Sequence, residues 1–132
     1  MTMIEDNIRH LPRLRIGEAM KLFDMTARAI RYYEERGLID ARRDRMNSRY
    51  YDQTARRRLD WIRQLRGAGL GLRDIQDVIE ADEQDGSGNA VAMDRLQARR
   101  TAVEEDLAGI DAAIARLSTP RPGAARPLLR KS

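Results

Sequence analysis

Arg28, Arg31, Tyr32 and Glu35 recur at three- and four-residue steps in RAIRYYEERGLIDARRDRMNSRYYD, residues 28–52. At that spacing they share one face of a helix. Guanidinium groups fork onto phosphate oxygens and onto guanine O6 and N7, and a tyrosine hydroxyl grips phosphate. Ile30 and Tyr33 fall on another face, with Leu38 just beyond, so one side is suited to packing and the other to reaching out. A solvated face of charge pairs fits the helix equally well. A second cluster, Arg42, Arg43, Arg45 and Arg49, gathers positive charge around a turn. Such a turn suits a wing lying along a sugar-phosphate backbone. Its alternative is a charged loop kept for solubility, with Asp40 and Asp44 diluting the field. Tyr50 and Tyr51 alternate along a strand, which sends one to the core and the other to the surface.

The elements that position these residues follow from periodicity. RLRI (13–16) reads as a short strand. Ile16, Ala19, Met20 and Phe23 stand at helical spacing and predict a short first helix. Thr26 is a good N-cap for a second helix from about Ala27 to Arg36, ended by Gly37. Two short helices joined by a tight turn, with an outward polar stripe, are what a helix-turn-helix needs to enter the major groove. LIDA and RYY flank Asn47-Ser48 and predict a hairpin. Asp52 can cap a third helix carrying Ala55, Leu59, Ile62 and Leu65. A fourth carries Leu72, Ile75, Val78 and Ile79. Trp61 and Phe23 are read as core side chains, because isolated aromatics on helices usually pack.

The polar run ADEQDGSGNA reads as a hinge over residues 81–90. Beyond it Met93, Leu96, Arg100, Val103, Leu107, Ile110, Ile114 and Leu117 follow alternating steps of three and four, an a/d heptad seam that wants a partner helix. Arg100 in the seam either meets Glu104 or Asp111 of a partner chain or snorkels out to water. Pro120 and Pro122 stop that helix. The expected organisation is an arm (1–13), a DNA-binding domain (14–80), the hinge (81–90), a dimerisation helix (91–118) and a disordered basic tail (119–132).

Composition narrows the function classes. Residues 1–75 hold 17 Lys/Arg against 11 Asp/Glu, residues 76–117 hold 4 against 10, and residues 118–132 hold 4 against none. Of the 25 basic residues, 23 are arginine. A basic front half points to a polyanionic partner and an acidic middle to a segment that avoids it. There is no cysteine and a single histidine, His10, so no disulfide framework, thiolate site or imidazole cluster can be built. No cofactor or metal is expected. No nucleophile–base pair or phosphate loop appears, which argues against an enzyme. No apolar run approaches a membrane span and no signal-peptide pattern opens the chain, so a cytoplasmic location is expected.

IGEAMKLFDMTARAIRYYEERGLI, then NSRYYD, then RLDWIRQLRGAGLGLRDIQDVIE, in unbroken order over about residues 14–80, resemble the MerR family of transcription regulators. The resemblance implies a mainly α fold: a winged helix-turn-helix followed by a long helix that pairs in an antiparallel coiled coil. It implies a homodimer on a palindromic double-stranded DNA site, distorting promoter DNA, with RNA polymerase as a further partner. It assigns Arg28 to bases, Arg31 and Tyr32 to the backbone, Arg49 to phosphate, and Tyr51 to packing behind the wing. With Thr26, Arg42, Arg43 and Arg45 these complete the residues assigned to DNA binding. Three departures stand out. Ser48 takes a place where the family often has glycine, Ala29 replaces a polar residue, and the metal-sensing cysteines of many relatives are absent, as is any effector domain after the coiled coil. Metal sensing through thiolates is therefore rejected.

Two other readings compete with a transcription regulator. One is a DNA-architectural or recombination accessory protein. The other is a coiled-coil adaptor whose arginines bind acidic proteins.

Overall fold

The structure, a computed structural model, describes residues 11–120. The expectations for an N-terminal arm and a basic tail fall largely outside those residues. Five helices and one small sheet run in the order α1 (Ile16–Phe23), α2 (Ala27–Glu35), β1 (Arg42–Arg43), β2 (Arg49–Tyr50), α3 (Gln53–Gly67), α4 (Leu72–Asp85) and α5 (Gly88–Ser118) among the described residues. The mainly helical winged fold expected from the sequence is the fold observed. No described helix is long and apolar enough to cross a membrane.

Local chemistry explains the boundaries. The Arg15 N–H donates to Glu18 Oε1 at 2.8 Å and closes the start of α1. Asp24, in the left-handed region at φ 52°, ends it. Thr26 Oγ1 accepts the Ala29 N–H at 3.0 Å, so the N-cap of α2 is the one its sequence predicts. Gly37 at φ 78° turns the chain out of α2, and the Leu38 N–H returns to the Tyr33 carbonyl at 2.9 Å. Asp52 Oδ1 caps α3 by accepting the Ala55 N–H at 3.0 Å.

The two strands pair antiparallel, Arg42 opposite Tyr50 and Arg43 opposite Arg49. The stretch read as a strand at 13–16 contributes one bridge, Leu14 with Tyr51, closed by reciprocal bonds of 3.0 and 2.7 Å. Leu14 and Tyr51 are both buried there, so the wing is rooted in the core.

The chain divides into two units, one ending at Leu96 and the other starting at Gln97. The core of the first unit collects Phe23, Ile30, Tyr33, Leu59, Ile62, Ile75 and Val78, among others. Phe23 is buried as expected, whereas Trp61 is only partly buried, packed at the edge of the core with the Arg57 guanidinium 5.7 Å from its ring centroid.

The polar run at 81–90 is not a ten-residue hinge. Helix α4 continues to Asp85, and only Gly86 (φ 76°) and Ser87 separate it from α5. Polar composition suggested solvent, but Asp82 pairs with Arg57 at 2.9 Å and Glu83 with the buried Arg58 at 3.2 Å. Gly88 is buried and opens α5 at close quarters: a Cβ there would lie 2.7 Å from Trp61 Cη2 and 2.9 Å from Asp82 Cβ. The first turns of α5 are held to α4 by Arg95, which reaches Asp74 at 3.2 Å and Asp77 at 3.0 Å.

In the seam, Met93, Val103, Leu107, Ile110, Ile114 and Leu117 are exposed. Leu96 departs from the expected seam because it is partly buried against the core of the first unit. Arg100 pairs with Glu104 of its own helix at 3.6 Å, an exposed i,i+4 contact worth little.

Candidate nucleic-acid interface

Helix α2 buries Ile30 and Tyr33 and leaves Arg28, Arg31 and Tyr32 exposed, so the two faces read from spacing are the faces the fold uses. Among the described residues neither Arg28 nor Arg31 makes an ion pair, which leaves both guanidinium groups available to an anion. Tyr32 stands edge-on to Tyr33, with centroids 5.6 Å apart, and the Arg36 guanidinium lies 5.7 Å from its ring. Those contacts restrict a side chain that is otherwise 43% exposed.

The wing is braced from three directions. Arg15 donates through Nη1 to the Arg49 carbonyl at 2.9 Å and through Nη2 to Asp44 Oδ2 at 3.0 Å. Asp44 Oδ1 accepts the N–H groups of Met46 and Ser48, both at 2.9 Å. The Ser48 N–H, followed by the Arg15 guanidinium, holds the Asp44 carboxyl below its ordinary range. Arg43 Nη1 reaches the Asn47 carbonyl at 2.8 Å. The residue in the left-handed region is Asn47, at φ 63°, and not Ser48. Ser48 needs no glycine-like backbone here: the demanding position is one residue earlier, and asparagine tolerates it.

The third brace joins wing to helix. Glu34 takes the Arg49 guanidinium on one carboxylate oxygen and the Tyr51 hydroxyl, at 3.0 Å, on the other. Burial, then the Glu34 charge, raises the Tyr51 phenol above its usual value, so it stays a donor. Tyr51 is 1% exposed; it cannot touch DNA, and its assignment to the binding residues becomes one of support. Arg49 is only partly available, since Glu34 already holds it. Arg42 Nε donates to Asp52 Oδ2 at 2.7 Å, which raises the guanidinium's affinity for its proton. For Asp52, burial pushes the carboxyl up, but the Ala55 N–H and Arg42 outweigh it and the net shift is downward.

Of the residues assigned from sequence, Arg28, Arg31, Tyr32, Arg43 and Arg45 are therefore exposed and free of carboxylate partners among the described residues, whereas Arg42 and Arg49 are ion-paired and Thr26 acts through its cap. Sequence reasoning missed Arg15, Glu34 and Asp44. Arg15, Ile16, Arg31, Ser48, Arg49 and Tyr51 line a cleft of about 420 Å³ between the start of α1 and the wing. Of its three guanidinium groups, Arg15 is held by Asp44 and Arg49 by Glu34, and only Arg31 is without an ion pair among the described residues. Among the described residues no group of His, Cys, Asp or Glu could hold a metal ion.

The family model described as MerR HTH family regulatory protein matches residues 14–82, more than half of the chain, and that described as MerR, DNA binding matches residues 56–119. The chain belongs to the MerR family. It is 36% identical over 78 residues to the HTH-type transcriptional regulator CueR of Bacillus subtilis, covering 59% of this chain and 54% of CueR, so it spans about half of that relative's length. Among solved structures it resembles a putative MerR family transcriptional regulator from Listeria monocytogenes, with a TM-score of 0.57, 29% identity and coverage of 79% and 80% of the two chains. It also shares its fold with HiNmlR, a MerR family regulator lacking the sensor domain and bound to promoter DNA. That match has a TM-score of 0.59 and 17% identity, over 78% of this chain and 79% of the other.

Proposed function

We propose that this MerR-family chain is a sequence-specific DNA-binding transcription regulator. The observation that carries the reading is the exposed, unpaired Arg28–Arg31–Tyr32 face of α2, braced by Glu34 against a basic wing. Arg28 reads bases in the major groove. Arg31 and Tyr32 hold phosphate. HiNmlR, bound to promoter DNA, supports the same use of the fold.

The working unit is a homodimer. Met93, Val103, Leu107, Ile110, Ile114 and Leu117 form an exposed apolar line along α5 that a second copy covers. Linking two modules raises affinity through effective concentration, which one module with few phosphate contacts needs. A two-fold dimer reads a palindrome. At a promoter the dimer distorts the duplex and thereby alters its use by RNA polymerase. The protein acts in the cytoplasm and catalyses no reaction.

Selection of duplexes from a random pool by the full chain tests this reading. Enrichment of an inverted repeat supports it; no enrichment at physiological salt defeats it and favours an adaptor for acidic proteins.

A further inference from the structure

Arg58 is the buried charged residue among those described, with 10% of its side chain exposed. A guanidinium carries five N–H donors and is costly to bury unless they are met. Glu83, whose own side chain is half exposed, takes Nη2 at 3.2 Å. The Nε–H is buried and finds no acceptor among the described residues. Buried polar groups nearly always have partners, so a leftover donor calls for something that supplies an acceptor. Arg58 also lines a cavity of about 230 Å³ between the wing root, the first turns of α3 and the end of α4. The charged lining is three carboxylates, Asp40, Asp52 and Glu83, against two guanidinium groups, Arg42 and Arg58. Two ion pairs use four of these five groups: Arg42 with Asp52 at 2.7 Å, and Arg58 with Glu83. Asp40 has no ion-pair partner among the described residues. The cavity is left with one surplus negative charge and one unmet donor.

We propose that this cavity binds a small organic monocation carrying a hydroxyl or carbonyl oxygen a few bonds from its ammonium group. The ammonium meets Asp40. The oxygen accepts the Arg58 Nε–H after a small turn of the guanidinium, and the Thr54 hydroxyl in the same lining offers a further hydrogen bond. Other ligand classes fit less well. An anion meets the surplus carboxylate, and an inorganic cation balances Asp40 but cannot accept a hydrogen bond from Arg58. An apolar molecule answers neither need. The volume lies below the roughly 300 Å³ at which pockets for larger ligands begin, so the ligand has only a few heavy atoms. The site does not depend on the DNA-binding reading of the chain. It does touch the wing root, because Arg42 belongs to β1 and Asp52 caps α3 directly after the wing.

The test titrates the full chain with ethanolamine and propanolamine, and with propylamine and acetate for comparison, at constant ionic strength. Binding is read by calorimetry and by the NMR signal of the Arg58 Nε–H. That signal is identified by its loss in Arg58→Lys, which keeps a cation for Glu83 and lacks Nε. At least one amino alcohol is expected to bind roughly tenfold more tightly than propylamine, which has the charge without the oxygen, and to move the Nε–H signal. Acetate should not bind. Asp40→Asn is expected to weaken the amino alcohol by roughly two- to fivefold and to keep the parent's melting midpoint, because Asp40 is exposed and unpaired. If Arg58→Lys does not fold, the parent and Asp40→Asn decide the matter by calorimetry. Failure of both amino alcohols to bind, or binding no tighter than propylamine with the Nε–H signal unmoved, leaves Arg58 to a buried water and overturns the proposal. Undiminished binding by Asp40→Asn overturns it as well.

Discussion

The Tyr51 hydroxyl donates to Glu34 Oε1 at 3.0 Å, and Arg49 pairs with the other oxygen of the same carboxylate. One side chain of α2 thus holds the wing at its root and on its second strand. Glu34→Ala removes the acceptor of a buried phenol and the ion-pair partner of Arg49, and a lost acceptor for a buried donor costs about 1–3 kcal/mol. Tyr51→Phe removes the donor as well and is expected to cost less. Urea denaturation of the two variants checks the order. A Tyr51→Phe loss larger than that of Glu34→Ala would contradict the role of Glu34 as the group that holds the wing.

Acid should loosen the same region. Asp44 and Asp52 both have folded-state values below those of the unfolded chain, Asp44 through the Ser48 N–H and Arg15, Asp52 through the Ala55 N–H and Arg42 against the opposing effect of burial. A depressed carboxyl contributes stability that is fully present above the unfolded value, about 3.9 for aspartate, and is lost as pH falls through the folded value. The urea midpoint is therefore expected to fall on acidification from just above the ordinary aspartate range downward. Asp52→Asn keeps a cap acceptor and should flatten part of that dependence, whereas Asp52→Ala should also cost about 1 kcal/mol at neutral pH through the lost cap.

Gly88 is expected to resist substitution. A methyl group there meets Trp61 Cη2 at 2.7 Å and Asp82 Cβ at 2.9 Å, and overpacking of this kind typically costs about 1–3 kcal/mol. Trp61 is the only tryptophan, so its fluorescence reports the disturbance directly. Gly88→Ala should shift the emission and lower the melting midpoint, and adding Trp61→Phe should recover part of the loss.

What the sequence made legible was local. The faces of α2, the Thr26 and Asp52 caps and the core positions of α3 and α4 all follow from spacing and from groups within a few residues of one another. What it hid was pairing across long separations. Arg15 meets Asp44 and Arg49 from 29 and 34 residues away, and Glu34 meets Tyr51 across 17. Nothing in the composition of the run at 81–90 reveals that its acids hold Arg57 and Arg58. Asn47-Ser48 reads as the turn in the sequence, but the corners are Arg45 and Met46, and Asn47 takes the positive φ that follows them.

The dimer reading has its own test. Leu107→Asp with Ile110→Asp places two charges on the exposed line of α5, where neither residue supports the core of the first unit. The variant is expected to sediment as a folded monomer, to keep most of its far-UV helical signal and to lose affinity for a full palindrome far more than for a half-site. Equal affinity of variant and parent for the full palindrome would rule out the dimer.

The central claim is that α2 reads bases through Arg28 while the wing holds phosphate. The most direct measurement is fluorescence anisotropy of the parent, Arg28→Ala and Arg49→Ala against the selected duplex and its single-base substitutions, at several salt concentrations. Arg28→Ala is expected to weaken the selected duplex by about 1–3 kcal/mol and to become indifferent to the base at one position per half-site. Arg49→Ala is expected to weaken every duplex alike and to lower the salt slope by about one. An Arg28→Ala variant that kept the parent's base preference at every position would contradict the account.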